Sequence, residues 1–362
     1  MNSKPRARDL GLPFPGRTGL NNAITDVPGI MVGYRTLISD RVRTGITAIL
    51  PRGFASELRP VWAGYHALNG NGEMTGTHWI EDGGYFCGPI CLTNTHSVGI
   101  AHHAAVKWMI GHYAREFADG HVWAMPVVAE TYDGVLNDIN GQHVCEADVL
   151  AAIRNAAGGA IQEGNVGGGT GMICYEFKGG TGTASRVVAE AEGSYTVGVL
   201  VQANHGLREW LTILGVPVGS RMRDDRLFQT ERGSIIVVIG TDAPMLPHQL
   251  RRIAKRAAIG IGRNGTPGGN NSGDIFLAFS TANDIPIAGM RGAPQLMSFI
   301  PDNCFDMFYL AAVEAIEEAV VNALVAAESM TTVKPAGHIC RAIDHAALQL
   351  ATTLGKFANV TP

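Results

Sequence analysis

Short apolar runs bounded by turn residues alternate along this chain with longer segments of helical period, a pattern that predicts interleaved α/β layers. The run SIIVVIGTD (234–242) is the clearest, and IFLAFSTAN (275–283) is a second. Each is continuous rather than alternating, and the first is rich in β-branched residues, as expected of a sheet buried on both faces. ICLTNTHSVGIAHHAAVKWMIGHYA (90–114) reads as a strand feeding a helix, and VWAMPVVAETYDG (122–134) as a strand ending in a turn crowded with functional groups. The first fifty residues give extended pieces, AITDVPGIMVGY (23–34) and TGITAIL (44–50). Helices are expected over Glu146–Ala157 and Pro247–Ile261, with a strand at Tyr195–Ala203. Asp306 is placed to cap a long helix reaching about Glu328, with Met307, Leu310, Ala311, Ile316, Val320 and Leu324 as its apolar positions. No repeat, low-complexity tract or linker divides the chain, so 1–362 is read as a single α/β domain.

Composition narrows the function classes. The formal net charge is −4 over 362 residues, without the basic footprint of a nucleic-acid binder. The cluster Arg251, Arg252, Lys255 and Arg256 falls within a predicted helix and reads as a solvated face. Six cysteines lack the spacing of a disulfide framework, and Cys174 sits in an apolar run as a small hydrophobe. The N-terminal residues carry no apolar secretory core, and Glu314, Glu317 and Glu318 interrupt the longest apolar stretch near the C-terminus. A soluble, reduced, cytoplasmic protein without membrane contact is the expectation.

Chemistry concentrates at four places. In QTERGSIIVVIGTD a charged, loop-like segment meets a buried strand at Gly233–Ser234. Taken alone this is an ordinary start of a strand. Held under strain, however, the Ser234 hydroxyl could attack the preceding carbonyl, with glycine tolerating the required backbone geometry. Hydrolysis of the ester would free an α-amine of pKa roughly 7.7–8.0, able to act as base beside its own hydroxyl. In GGNNSGDIFLAFSTAN, Ser272 and Asp274 are two residues apart at the start of a strand, so their side chains share a face. A carboxylate there can orient a hydroxyl that relays protons, although turn chemistry also explains such a composition. In AETYDG, Glu130 could hold a substrate ammonium and Tyr132 could donate to an oxyanion; in LVQANHG, the Asn204 amide is a second oxyanion donor. Each of these is individually more often a structural hydrogen bond.

Together the four segments resemble one family, the β-peptidyl aminopeptidases and the L-aminopeptidase/D-Ala-esterase/amidase group. The resemblance also runs through ARDLGLPFPG, AITDVPGIMVGY, NGNGEMTG and FKGGTGTASR to the long C-terminal helix. It implies a four-layer α/β/β/α sandwich resembling N-terminal-nucleophile hydrolases with different connectivity. It further implies autocleavage between Gly233 and Ser234 into 1–233 and 234–362, and a homotetramer of the processed pairs. Ser234 would be nucleophile and amine, Ser272 and Asp274 would assist proton transfer, Asn204 and Tyr132 would line the oxyanion hole, and Glu130 would meet the substrate amine. Some similar proteins carry glutamate in place of Asp274. The implied activity is release of N-terminal residues from small peptides, amides or esters, with no cofactor. Ornithine acetyltransferases are a related alternative, but they use threonine where this chain has Ser234. A non-enzymatic, glycine-rich α/β binding protein is the remaining alternative.

Other motifs carry less. VGGGTGM (166–172) lacks the Gly-Lys-Ser/Thr ending of a phosphate loop, and its glycines are read as backbone crowding. His96, His102, His103 and His112 form no zinc motif, Cys87–Cys91 supplies half a site at best, and no GxSxG elbow supports a triad on Ser97 or Ser220. No metal is expected.

Overall fold

In this computed structural model, residues 4–190, 193–287, 292 and 294–358 are described. In chain order the elements are β1 (Met31–Ser39), β2 (Val42–Leu50), β3 (Val61–Ala67), α1 (Thr77–Gly83), β4 (Tyr85–Phe86), β5 (Ile90–Asn94), α2 (Val98–His112), α3 (Ala114–Asp119) and β6 (Val127–Thr131). There follow α4 (Glu146–Arg154), β7 (Ile173–Cys174), β8 (Phe177–Lys178), β9 (Gly180–Glu190), β10 (Gly193–Asn204), β11 (Ser234–Thr241) and α5 (Pro247–Arg263). The chain continues with β12 (Gly273–Ser280), α6 (Phe305–Val325), β13 (Met330–Val333), β14 (Ala336–Cys340) and α7 (His345–Ala358).

One sheet has the order β1-β2-β5-β6 and the other β4-β3-β12-β11-β10-β9. Only β5–β6 and β11–β12 run parallel among these neighbours; the rest are antiparallel. Strand alternation shows the layering. Along β11, Ile236 and Val238 join Leu92 and Ala129 of the smaller sheet in one core between the sheets. Their neighbours Ile235, Val237 and Ile239 join Ala257 of α5 and Ile316 of α6 on the opposite side. The outer face of the smaller sheet, through Ile46, Ala48 and Val128, packs on Ala101 and Ala105 of α2 and Val149 of α4. Helices thus cover both outer faces, and the α/β/β/α sandwich expected from the resemblance is the observed fold.

Local chemistry accounts for the start of α5. Pro247 opens α5, where the missing N–H costs nothing, and the Gln249 side chain accepts from the Leu246 N–H at 3.0 Å. Arg251 on its exposed face pairs with Glu81, and Arg252 pairs with Asp302. The glycines at 168 and 169 are required by crowding: a Cβ at Gly168 would strike the Gln202 side chain, and one at Gly169 the Thr181 backbone.

Two expectations for the C-terminal helix need correction. Asp306 does not cap it: α6 begins at Phe305 with Cys304 in the cap position, so Asp306 lies in the first turn. Met307 and Leu310 face solvent, because the core side of that first turn is taken by Phe305 and Phe308. Beyond them nearly every position is buried, including Glu318, which pairs with Arg8 and Arg186. No helix among the described residues is long and apolar enough to cross a membrane.

Candidate active site

Three strand ends of the larger sheet converge on Ser234. It is the first residue of β11, opposite Asn204 at the end of β10 and level with Gly273 at the start of β12. Both neighbours fix its position through main-chain ladders, so the hydroxyl is presented from a rigid sheet rather than from a loop. Its Oγ donates to the carbonyl oxygen of Gly233 at 2.9 Å and accepts from the Gly273 N–H at 3.2 Å. Gly233 is sterically obligatory: a Cβ would collide with the Asn204 carbonyl.

On the adjoining strand the Ser272 hydroxyl donates to Asp274 Oδ1 at 2.6 Å, so the aspartate is long enough for that bond. Asn69 Nδ2 holds the other oxygen at 3.1 Å. Burial raises the Asp274 carboxyl above its ordinary range, while the Ser272, Ile235 N–H and Asn69 hydrogen bonds oppose the rise. Ser272 bonds to Asp274 and not to Ser234; the link to Ser234 runs through the intervening Gly273 N–H.

Asn204 is 4 % exposed, with both ends of its amide engaged. Oδ1 accepts from the Ile173 N–H at 2.7 Å, and Nδ2 donates to the Tyr132 carbonyl at 3.0 Å. One Nδ2 hydrogen remains free for a further acceptor. From the facing sheet, Glu130 and Tyr132 reach the same mouth. With Ser234, Gly233, Arg232, Thr95, Asn71 and their neighbours they line a cavity of about 340 Å³. Tyr132 and Asn204 also line an adjoining cavity of about 230 Å³, with Ile173, Phe228 and Lys334. Glu130 accepts from the Glu73 N–H at 3.0 Å and from the Thr95 hydroxyl. Burial is the main cause of its raised pKa, and those hydrogen bonds work against it.

Several residues that shape the site carry no signal in the sequence. Glu231, three residues before Ser234, accepts from the Gly206 N–H at 2.7 Å and packs against Gly269. Further upstream, Glu176 accepts from the N–H groups of Leu227 and Phe228 at 2.7 and 3.1 Å. Arg208 donates to the carbonyls of Met222 and Asp224, both at 2.9 Å. His205 lines the smaller cavity as a neutral ring, pulled down to about 3 by burial. Lone polar residues spread over the chain give no spacing to read; flanking apolar or glycine runs, as around Lys178, are the only hint of burial.

The residues set aside as metal ligands do not gather: among the described residues no three His, Cys, Asp or Glu side chains form a cluster fit for a metal. Cys87 and Cys91 are buried thiols, both pushed up to about 12 by that burial.

Known proteins match this chain over nearly all of its length. The profile of peptidase family S58 matches residues 22–337. The chain is 51% identical to the beta-peptidyl aminopeptidase BapA of Sphingosinicella microcystinivorans, over 95% of this chain and 91% of that protein. Its structure superposes with a TM-score of 0.93 on the L-aminopeptidase D-Ala-esterase/amidase of Ochrobactrum anthropi, described as a prototype of the serine aminopeptidases and a new variant of the Ntn hydrolase fold. That pair shares 58% identity over 99% of this chain and 100% of the other. A Burkholderia sp. beta-aminopeptidase superposes at 0.89 with 48% identity, over 97% and 99% of the two chains. The chain belongs to peptidase family S58, and it is a serine aminopeptidase built on that variant of the N-terminal-nucleophile hydrolase fold.

Proposed function

We propose that the chain cuts its own Gly233–Ser234 bond and that the freed Ser234 then releases N-terminal residues from small peptides, amides and esters. The observation that carries this reading is the Ser234 hydroxyl, hydrogen-bonded at 2.9 Å to the carbonyl it would attack. In the first reaction Oγ adds to the Gly233 carbonyl carbon and the C–N bond breaks, moving the acyl group from nitrogen to oxygen. The hydroxyl proton ends on the departing α-amine. Water then hydrolyses the ester, leaving a carboxylate on Gly233 and a free amine on Ser234.

That amine sits beside its own hydroxyl, and with a reference pKa of roughly 7.7–8.0 it is partly neutral near pH 7. In turnover it takes the Oγ proton as Oγ attacks the substrate carbonyl and passes it to the leaving amine or alcohol. The Ser272–Asp274 pair assists this transfer from the adjoining strand. Asn204 Nδ2 and the Tyr132 hydroxyl stabilise the oxyanion. Glu130, a carboxylate at the floor of the same cavity, binds the substrate ammonium and so selects an unblocked N-terminus. Water finally releases the acid from Ser234. The names of the relatives extend the candidate substrates to β-amino as well as L- and D-amino residues. A homotetramer of cleaved pairs is the proposed assembly.

A panel of p-nitroanilides with free or acetylated L-, D- and β-amino residues tests the substrate assignment. Turnover is expected for free amines and loss of at least about a hundredfold on acetylation, because an ionic hydrogen bond to Glu130 disappears. Equal turnover of acetylated substrates would contradict an aminopeptidase.

A further inference from the structure

Lys178 is a fully buried amine with no part in the reaction just described. Its ammonium donates to the carbonyls of Gly179 at 2.7 Å, Met172 at 2.9 Å and, more weakly, Gly169 at 3.4 Å. Among the described residues no carboxylate pairs with it. The nearby thiols of Cys174 and Cys340 are raised by burial and carry no compensating charge. Burial pulls Lys178 down to about 7, against which three carbonyl acceptors match the three hydrogens of the charged form. A buried amine with no carboxylate partner is a costly way to fill space, and an apolar side chain of similar length would serve packing better.

We propose that Lys178 is a positioning residue for the oxyanion donor, helping, through one peptide group and alongside the Tyr132 carbonyl that accepts from Nδ2, to fix which end of the Asn204 amide faces the reacting carbonyl. The peptide is Met172–Ile173. Its carbonyl oxygen accepts from Lys178 Nζ at 2.9 Å and from the Gly179 N–H at 2.9 Å. Its N–H, from Ile173, donates to Asn204 Oδ1 at 2.7 Å. A hydrogen bond from Lys178 Nζ on the carbonyl side draws electron density through the amide and makes the N–H a stronger donor, an effect that is largest in a buried network. A stronger donor at Oδ1 holds that oxygen away from the site and keeps Nδ2 turned toward it. A flipped amide would present an oxygen lone pair to a developing negative charge.

This inference rests on Asn204 serving as oxyanion donor, and the test separates the two. Lys178→Met is made in the parent and in an Asn204→Ala background, with kcat counted per mole of cleaved chain and folding checked by thermal unfolding. In the parent, kcat should fall about 10- to 100-fold, part of the two to three orders that loss of the donor itself costs. KM should stay within about twofold, since the substrate amine is held elsewhere. In the Asn204→Ala background the same substitution should change kcat by less than about twofold. Lys178→Gln, which keeps a neutral donor, should lose less than the methionine variant; it goes through the same cycle if methionine does not fold. A folded, cleaved Lys178 variant with unchanged kcat, or an equal loss in both backgrounds, overturns the inference. Full kcat in Asn204→Ala alone would instead overturn the oxyanion assignment beneath it.

Discussion

The chain on the two sides of Gly233–Ser234 is held in two different ways. Downstream, β11 is buried along its whole length and hydrogen-bonded to β10 on one edge and β12 on the other. Upstream, residues 222–233 contain no strand or helix long enough to anchor them. They hang on side chains instead: Arg208 on Met222 and Asp224, Glu176 on Leu227 and Phe228, and Glu231 on Gly206. A two-sided ladder fixes Ser234 to within its own rotamer, whereas a few charged hydrogen bonds fix the segment that precedes it. The difference suits the proposed cleavage, which would leave one end in place and let the other move. Arg232 and Gly233 line the same cavity as Glu130, so any displacement of that end enlarges the space for a substrate.

The comparison can be broken from the fixed side first. Ser234→Ala should leave the chain uncut and reduce hydrolysis by about four to six orders of magnitude, the usual loss for a covalent nucleophile. Cleavage on a denaturing gel and initial rates on an amino-acid p-nitroanilide check both. Asn204→Ala should lower kcat by about two to three orders of magnitude with a smaller change in KM. From the tethered side, Glu231→Gln should slow self-cleavage by about tenfold, as one charge-assisted hydrogen bond weakens. The cut enzyme should keep kcat within about threefold, because the residue acts before the break. Time courses of freshly translated protein separate these rates.

The smallest effect concerns pH. Burial raises the Glu130 carboxyl, so it loses its charge at a higher pH than an ordinary glutamate as the medium is acidified. Amine binding is intact above that pKa and weakens as pH falls through it, so KM should rise on the acid side while kcat changes less. The limb should flatten in Glu130→Gln. A pH profile of KM for that variant and the parent reads the difference.

Legibility in the sequence followed the same divide. β11 and β12 were readable because continuous apolar runs have one comfortable environment, a sheet covered on both faces. The pairing of Ser272 with Asp274 followed from extended-chain geometry, since two residues apart means one face. α6 was readable as a helix but not in its facing: it is buried on almost every side, so its apolar positions show little period and Met307 and Leu310 could not be told from core residues. Lys178, Glu176 and Glu231 were silent for another reason. Their partners are backbone groups of segments brought close only by topology, and backbone groups leave no mark in sequence. Asn69, some two hundred residues from Asp274, is the same case between side chains. Residue chemistry suggested the roles of Ser234, Asn204, Tyr132 and Glu130, and the family resemblance put them ahead of ordinary structural hydrogen bonds, which no spacing argument could have done.

Intact mass spectrometry of denatured, catalytically active protein tests the self-cleavage most directly. Two masses are expected, one ending at Gly233 and one beginning at Ser234, with activity rising in step with their appearance. A single species at the full 38.3 kDa that turns over substrate at the mature rate would contradict it.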